Sequence, residues 1–260
     1  MKLPDGLRLE DYEKPRRVII EFIKNYVIST GVKGLVLGLS GGVDSSLVAT
    51  LACQAIGPDN VRGIILPVDA RKDGKSAKDA RGLAESLGMR YELFELNRAV
   101  AAYSSLPLDK ICLGNLTTRL RMATLYARAN QENRLVIGTG NKSELMVGYF
   151  TKYGDGGADI LPIGDLYKTN VWGLSEHIGI PGKIVKKDPS AGLWRGQTDE
   201  QELGITYREL DTILYLHLER GMKEQDIVNW GMPKSKVSKV MKMIVQSEHK
   251  RKPLPIPAIH

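Results

Sequence analysis

The chain has 260 residues, of which 42% are hydrophobic and 26% charged, and a formal net charge of +7. That length supports one or two domains and a core burying roughly three quarters of the unfolded surface, so no covalent staples are needed. The composition excludes fibrous and disordered chains. The apolar runs fall far short of the ~20 residues of a membrane span, and Lys2 leads into Pro4, Asp5 and Gly6, not into a signal peptide.

A cytoplasmic, membrane-free protein is therefore expected. Cys53 and Cys112 are too few for a disulfide framework or a zinc cluster and read as core or near-core residues in a reducing compartment.

Pro15 opens a helical pattern with apolar Ile19, Phe22, Ile23 and Tyr26, closed by Gly31. Residues 34–39 form a short apolar run between glycines, which predicts a buried strand. A polar, glycine-containing loop at 40–45 leads into a helix that Gly57-Pro58-Asp59 stops. Further strands are predicted at 61–66, 90–96 and 134–139, with a short fifth at 160–163, and helices at 76–87 and 115–132. Strands alternating with helices predict an α/β fold, a doubly wound parallel sheet of about five strands with flanking helices.

After Thr169 the pattern turns helical, at 170–178, 207–220, 223–230 and 233–248, and Pro253, Pro255 and Pro257 end it. This reads as one domain over 1–260. It comprises an N-terminal helical part (1–33), a nucleotide-binding core (34–169), and a C-terminal region (170–260) with a long loop, helices and a basic tail. The loop, 187–204, has the length of a functional lid. Residues 232–252 hold seven Lys or Arg against Glu248 alone, a patch that attracts polyanions or is simply a solvated helix face.

Ser40-Gly41-Gly42-Val43-Asp44-Ser45 lies between a buried strand and a helix. Glycines admit a ligand close to the backbone, and the free N–H groups of a helix N-terminus favour an anion, so the loop reads as a phosphate cradle. It lacks the Gly-Lys-Ser grip of the Walker loop, and the one Gly74-Lys75-Ser76 fails because Asp69 stands where that pattern needs glycine. Asp44 facing phosphate is repulsive unless Mg²⁺ bridges them, although an aspartate in a first helical turn is also favourable by itself. If strands one and four are neighbours, Glu144 reaches the same crevice at the carboxyl ends of the strands and can share that ion. Alternatively, Glu144 is a surface helix residue.

The 40–45 loop resembles the signature of the ATP pyrophosphatases, which split ATP between the α- and β-phosphates. It is shared by GMP synthetases, asparagine synthetases, tRNA-thiolating enzymes and NAD synthetases. The run from Phe150 through Thr151, Lys152, Tyr153, Gly154, Asp155, Gly156, Gly157 and Ala158 to Asp159 has three glycines beside polar residues and suits backbone close to a ligand. This run, 161–168, 187–193, 197–207 and the end at Glu248-His249-Lys250 are similar to the ammonia-dependent NAD synthetases.

That resemblance implies the amidation of nicotinic acid adenine dinucleotide (deamido-NAD) by ammonia, with ATP and Mg²⁺, through an adenylate, releasing AMP and diphosphate. It implies that Gly38, Leu39, Ser40, Gly41, Gly42, Val43, Asp44, Ser45, Thr139, Lys168 and Ser190 hold ATP. Asp44 and Glu144 would hold the metal, and Arg119, Lys152, Asp159, His249 and Lys250 the dinucleotide. It also implies a homodimer with no nucleic-acid or membrane partner. No side-chain nucleophile is expected, with Asp44, Glu144 and Lys168 as electrostatic support. About 33 residues precede the first strand, too few for a glutaminase domain, so the expected donor is free ammonia or ammonia delivered by a separate chain. Two other readings stay open: a tRNA-modifying relative whose basic tail meets RNA, and a nucleotide-binding module without turnover.

Overall fold

The computed structural model describes residues 3–69, 74–194 and 196–259. The elements follow as α1 (Glu13–Thr30), β1 (Leu35–Gly38), α2 (Val43–Ile56), a 3-10 turn (Pro58–Asn60), β2 (Val61–Ile65), α3 (Gly74–Ser86), β3 (Arg90–Leu93) and α4 (Asn97–Ala101). Next come α5 (Lys110–Glu132), β4 (Leu135–Val136), α6 (Lys142–Val147), α7 (Lys168–His177), α8 (Gly182–Val185) and α9 (Asp199–Leu203). The C-terminal helices are α10 (Tyr207–Leu218), α11 (Glu224–Trp230), α12 (Lys234–Gln246) and α13 (Glu248–Arg251). No described helix is long and apolar enough to cross a membrane.

The described strands form one parallel sheet in the order β3-β2-β1-β4. Leu35 of β1 stands opposite Val61 on one side and Leu135 on the other. The chain thus leaves β1 outward to β3 and returns to the opposite flank, which makes the β1/β4 gap the switch point where α/β sheets bind ligands.

Alternation along β1 sets the layers. Leu35 and Leu37 join the cluster under α1, α2, α3 and α7, while Val36 faces Ile64, Val136 and Ala129 of α5 on the other face. Trp172 of α7 packs against the first of these and against a further apolar cluster built from α6, α10, α11 and α12. Leu47, fully buried in α2, anchors the helix that carries the 40–45 loop. Truncating such a leucine to alanine costs about 2–5 kcal/mol.

The fifth strand shrinks to a single parallel bridge, Ile137 to Ile160. Gly138 N–H donates to the Ile160 carbonyl at 2.8 Å and Asp159 N–H to the Val136 carbonyl at 2.9 Å. Pro162 has no N–H to continue the ladder, and a turn from Leu161 to Gly164 closes the segment. α5 starts at Lys110, earlier than the pattern at 115, because Asp109 caps it by accepting from Cys112 N–H at 2.7 Å. Cys112 is exposed on that first turn and not a core residue, whereas Cys53 is buried, its thiol pushed up to about 11 by burial. Ser247 ends α12 before the expected 248. The last residues of the 187–204 stretch are helical, as α9, capped by the Thr198 hydroxyl.

Candidate active site

The loop after β1 is shaped by its glycines. Gly41 has φ +73, and a Cβ there would lie 2.3 Å from the Ser76 carbonyl oxygen of α3. Only glycine lets this turn pass against α3. Gly42 is the N-cap of α2 and supplies no side chain to its first turn, so the N–H groups of that turn face the crevice uncapped. Ser40 and Ser45 hydroxyls lie 2.9 Å apart, and Ser45 and Ser46 donate to the Gly42 carbonyl at 3.1 and 2.8 Å. The loop is therefore braced internally, with Ser40 N–H donating to the Ser45 hydroxyl at 3.3 Å and Gly42 N–H to the Ser40 hydroxyl at 3.2 Å, and it is the uncapped first turn of α2 that can receive an anion.

β4 leads through residues 137–141 into α6, opposite this loop. Asn141 is fully buried and forms a capping box with Glu144: its side chain accepts from Glu144 N–H at 3.0 Å, and Glu144 Oε2 accepts from Asn141 N–H at 3.3 Å. Asn141 Nδ2 also donates to Asp44 Oδ1 at 2.9 Å. One residue thus orients both carboxylates.

Lys168, at the start of α7, completes the constellation. Its Nζ donates to Asp44 Oδ2 at 2.6 Å and to Glu144 Oε1 at 3.3 Å, and its side chain is 2% exposed. Burial alone would lower this ammonium, but the carboxylates of Asp44 and Glu144 outweigh it and hold it above its ordinary value. Burial pushes the Glu144 carboxyl up, against the pull of Lys168, and the negative charges of Asp44 and Asp199 add to the rise. The start of α7 is itself fixed from below. Lys168 N–H donates to Ser143 Oγ at 2.9 Å, and the buried Asp211 of α10 accepts from Ser143 and, at 2.8 Å, from Thr169 N–H.

Asp44, Glu144 and Lys168 are thus drawn together from three distant segments, beside the 38–45 loop. Thr139 lies half-buried just beyond β4. Ser190 is exposed, its hydroxyl accepting from Gly192 N–H at 3.1 Å inside its own segment. From the same segment it is Lys187 that reaches the phosphate loop, donating to Ser76 Oγ at 2.7 Å and to the Gly41 carbonyl at 3.5 Å.

The dinucleotide candidates form a second group. Arg119 Nε donates to the Lys152 carbonyl at 3.3 Å, Lys152 Nζ to the His249 carbonyl at 2.9 Å, and Lys250 Nζ to the Gly148 and Phe150 carbonyls at 2.7 Å each. Asp159 is tied elsewhere, to Tyr126 OH at 3.1 Å and Val136 N–H at 2.7 Å. The glycines of the 150–159 run lie tightly against neighbouring protein atoms. A Cβ on Gly156 would meet the Phe150 ring at 2.4 Å, and one on Gly154 would meet Thr118 at 2.9 Å.

Asn141, Lys187 and Tyr207 join this constellation without being singled out by the sequence. The Asn141-Lys-Ser-Glu144 capping box was a readable signal for the first. Tyr207, fully buried, places its hydroxyl 3.4 Å from Glu144 and its ring 5.1 Å from Lys168 Nζ, and no local pattern marks it.

Fold and site together define an α/β protein with a parallel sheet, a glycine-containing loop at a helix N-terminus and a lysine-bridged carboxylate pair at the sheet's switch point. The family profile for NAD synthase matches residues 16–254, and the chain belongs to that family. It is 49% identical over 248 residues to the NH(3)-dependent NAD(+) synthetase of Archaeoglobus fulgidus, covering 95% of this chain and 97% of the relative. Among solved structures it is similar to the NH3-dependent NAD synthetase of Campylobacter jejuni subsp. jejuni in complex with the nitrate ion. That likeness has a TM-score of 0.81, 30% identity, and coverage of 96% and 100% of the two chains. The NMN synthetase of Francisella tularensis superposes with a TM-score of 0.82 at 35% identity, covering 95% of this chain and 98% of the other.

Proposed function

We infer that this chain is an ammonia-dependent ligase that makes NAD from deamido-NAD, consuming ATP and releasing AMP and diphosphate. The observation that carries this reading is the meeting of Asp44, Glu144 and Lys168 beside an uncapped phosphate loop, in a chain that matches the NAD synthase family over nearly its whole length.

The donor set fits Mg²⁺. Asp44 and Glu144 offer hard carboxylate oxygens held by one lysine, and Mg²⁺ is typically bound by just one or two carboxylates. That leaves positions for phosphate oxygens and water, as Mg²⁺ requires. When bound, the ion would neutralise charge on the phosphates and favour departure of diphosphate.

The chain's own residues do the rest. N–H groups of the 38–45 loop and the first turn of α2 receive the phosphates, with Thr139 and Ser190 contributing to ATP binding. Lys168, and Lys187 beside Gly41, supply positive charge where the transition state gains negative charge. Arg119, Lys152, His249 and Lys250, with Asp159, hold the dinucleotide so that its carboxylate oxygen meets the α-phosphorus. That oxygen forms the new P–O bond, the bond to the β-phosphate oxygen breaks, and diphosphate leaves. Ammonia then attacks the acyl carbon, AMP departs with the electron pair, and ammonia gives up one proton. The 187–204 segment shields the adenylate from water. The single domain acts as a homodimer.

The test is incubation with ATP, Mg²⁺, ammonia and deamido-NAD, omitting one component at a time, with nicotinic acid mononucleotide as an alternative acceptor. NAD and AMP forming in equal amounts, only in the complete mixture, is the expected result. Faster amidation of the mononucleotide would reassign the substrate, and AMP formed with neither acceptor would overturn the reading.

A further inference from the structure

A chain of hydrogen bonds joins the 187–204 segment to the carboxylate pair. Gln197, which is 7% exposed, accepts from Leu193 N–H at 2.8 Å and donates through Nε2 to Glu202 at 3.1 Å. Glu202 accepts from Tyr149 OH at 2.6 Å, and that hydroxyl lies 3.2 Å from Asp199. Asp199, 4% exposed, accepts from Tyr207 OH at 2.9 Å, and the same hydroxyl stands 3.4 Å from Glu144. The two tyrosines each bridge two carboxylates with one hydroxyl. Each hydroxyl has a single hydrogen, so its bond to one partner comes at the expense of the other.

We propose that Tyr207 is a positioning residue for the amidation. Its hydroxyl sets the placement of Glu144 according to how the 187–204 segment is seated through Asp199, Tyr149, Glu202 and Gln197. This rests on the reading of Glu144 as part of the ATP site. The seating itself is visible: Gly114 of α5 leaves room for Leu193 and Trp194, whose side chains lie 3.0 and 3.4 Å from where its Cβ would be. Lys110 Nζ stacks over Trp194 at 4.2 Å. A movement of this segment therefore shifts a buried polar network that ends on a reacting-site carboxylate. Such networks act as units, so their members couple when mutated.

The experiment uses Tyr207→Phe, which keeps the buried ring and its contact with Lys168 but removes both hydroxyl bonds. Hydrogen exchange of the 188–198 amides is followed in the full chain without ligands. Exchange there should rise about tenfold, with α2 and β1 unchanged. Unaltered exchange at 188–198, or an equal rise across the whole chain, would overturn the proposal. Tyr149→Phe cuts the same chain at a half-buried link, carries the same expectation, and serves if the first variant does not fold. In turnover, Tyr207→Phe and Gln197→Ala should each lower kcat about tenfold, and the double variant should be no worse than the poorer single one. Losses that multiply to about a hundredfold would contradict the coupling. The exchange measurement needs no catalysis, so it stays decisive even if the unmodified chain forms no AMP, which would refute the synthetase reading alone.

Discussion

Replacing Lys168 by methionine keeps the length of the stem and removes the charge that Asp44 and Glu144 share. At 2.6 and 3.3 Å, and with an effective dielectric constant near 20, each attraction is worth about 5–6 kcal/mol before desolvation. Desolvation of the ions takes back most of that, and removing one member of a buried pair typically costs about 3–5 kcal/mol, because the other charges stay behind. The Asp44 and Glu144 side chains remain only 20% and 17% exposed, so water relieves little of their repulsion. For a chain of this size the loss should lower Tm by roughly 6–20 °C. Turnover should fall about 100- to 1,000-fold, as when a transition-state charge partner is lost. Thermal unfolding without nucleotide, followed by AMP release at saturating substrates, measures both. A Tm within 2 °C of the unmodified chain together with a kcat within about threefold would refute the assignment of Lys168 as the cation of this site.

Asp44→Asn and Glu144→Gln should each reduce NAD and AMP formation by at least about a hundredfold at saturating ammonia, and near-normal turnover in either removes that residue from the proposed metal site. Gly41→Ala must force a methyl to 2.3 Å from the Ser76 carbonyl at φ +73, so ATP affinity by calorimetry should drop about tenfold or more while the far side of the sheet keeps its exchange protection. Burial holds the Asp211 carboxyl at about 6, against a usual 3.8, despite its bonds from Ser143 and Thr169. The folded chain therefore binds this proton more tightly than the unfolded one. The associated stability is present below about pH 4 and is lost as pH rises through 6, a difference of roughly 3 kcal/mol. Urea unfolding of Asp211→Asn between pH 4 and 7 should lack that decline, and a profile parallel to the unmodified chain would contradict it.

What was readable in the sequence was what local chemistry decides. The 40–45 loop announced itself because Gly41, Gly42 and the serines serve a turn that any strand-to-helix phosphate cradle needs. The strand-and-helix alternation points to a parallel sheet but leaves open whether β1 lies beside β4; the order β3-β2-β1-β4 supplies that adjacency, which is what brings Glu144 to Asp44. Other features depend on distant contacts. Tyr207 becomes a site residue only because α10 packs under α6 and α7, which no spacing reveals. Thr118 and Phe150 lie against the glycines at 154 and 156, a packing reason for their size that local spacing does not show. The short fifth strand stops at Pro162, which has no N–H to extend the ladder. Asp109 and Asn141 are both helix caps with ordinary local signatures.

The most direct test is diffraction from crystals grown with Mn²⁺ and a non-hydrolysable ATP analogue, reading the metal from its anomalous signal. The account predicts one metal peak in contact with oxygens of both Asp44 and Glu144, with the analogue's phosphates against the backbone of residues 41–45. Phosphates bound elsewhere, or a metal touching neither carboxylate, would contradict it.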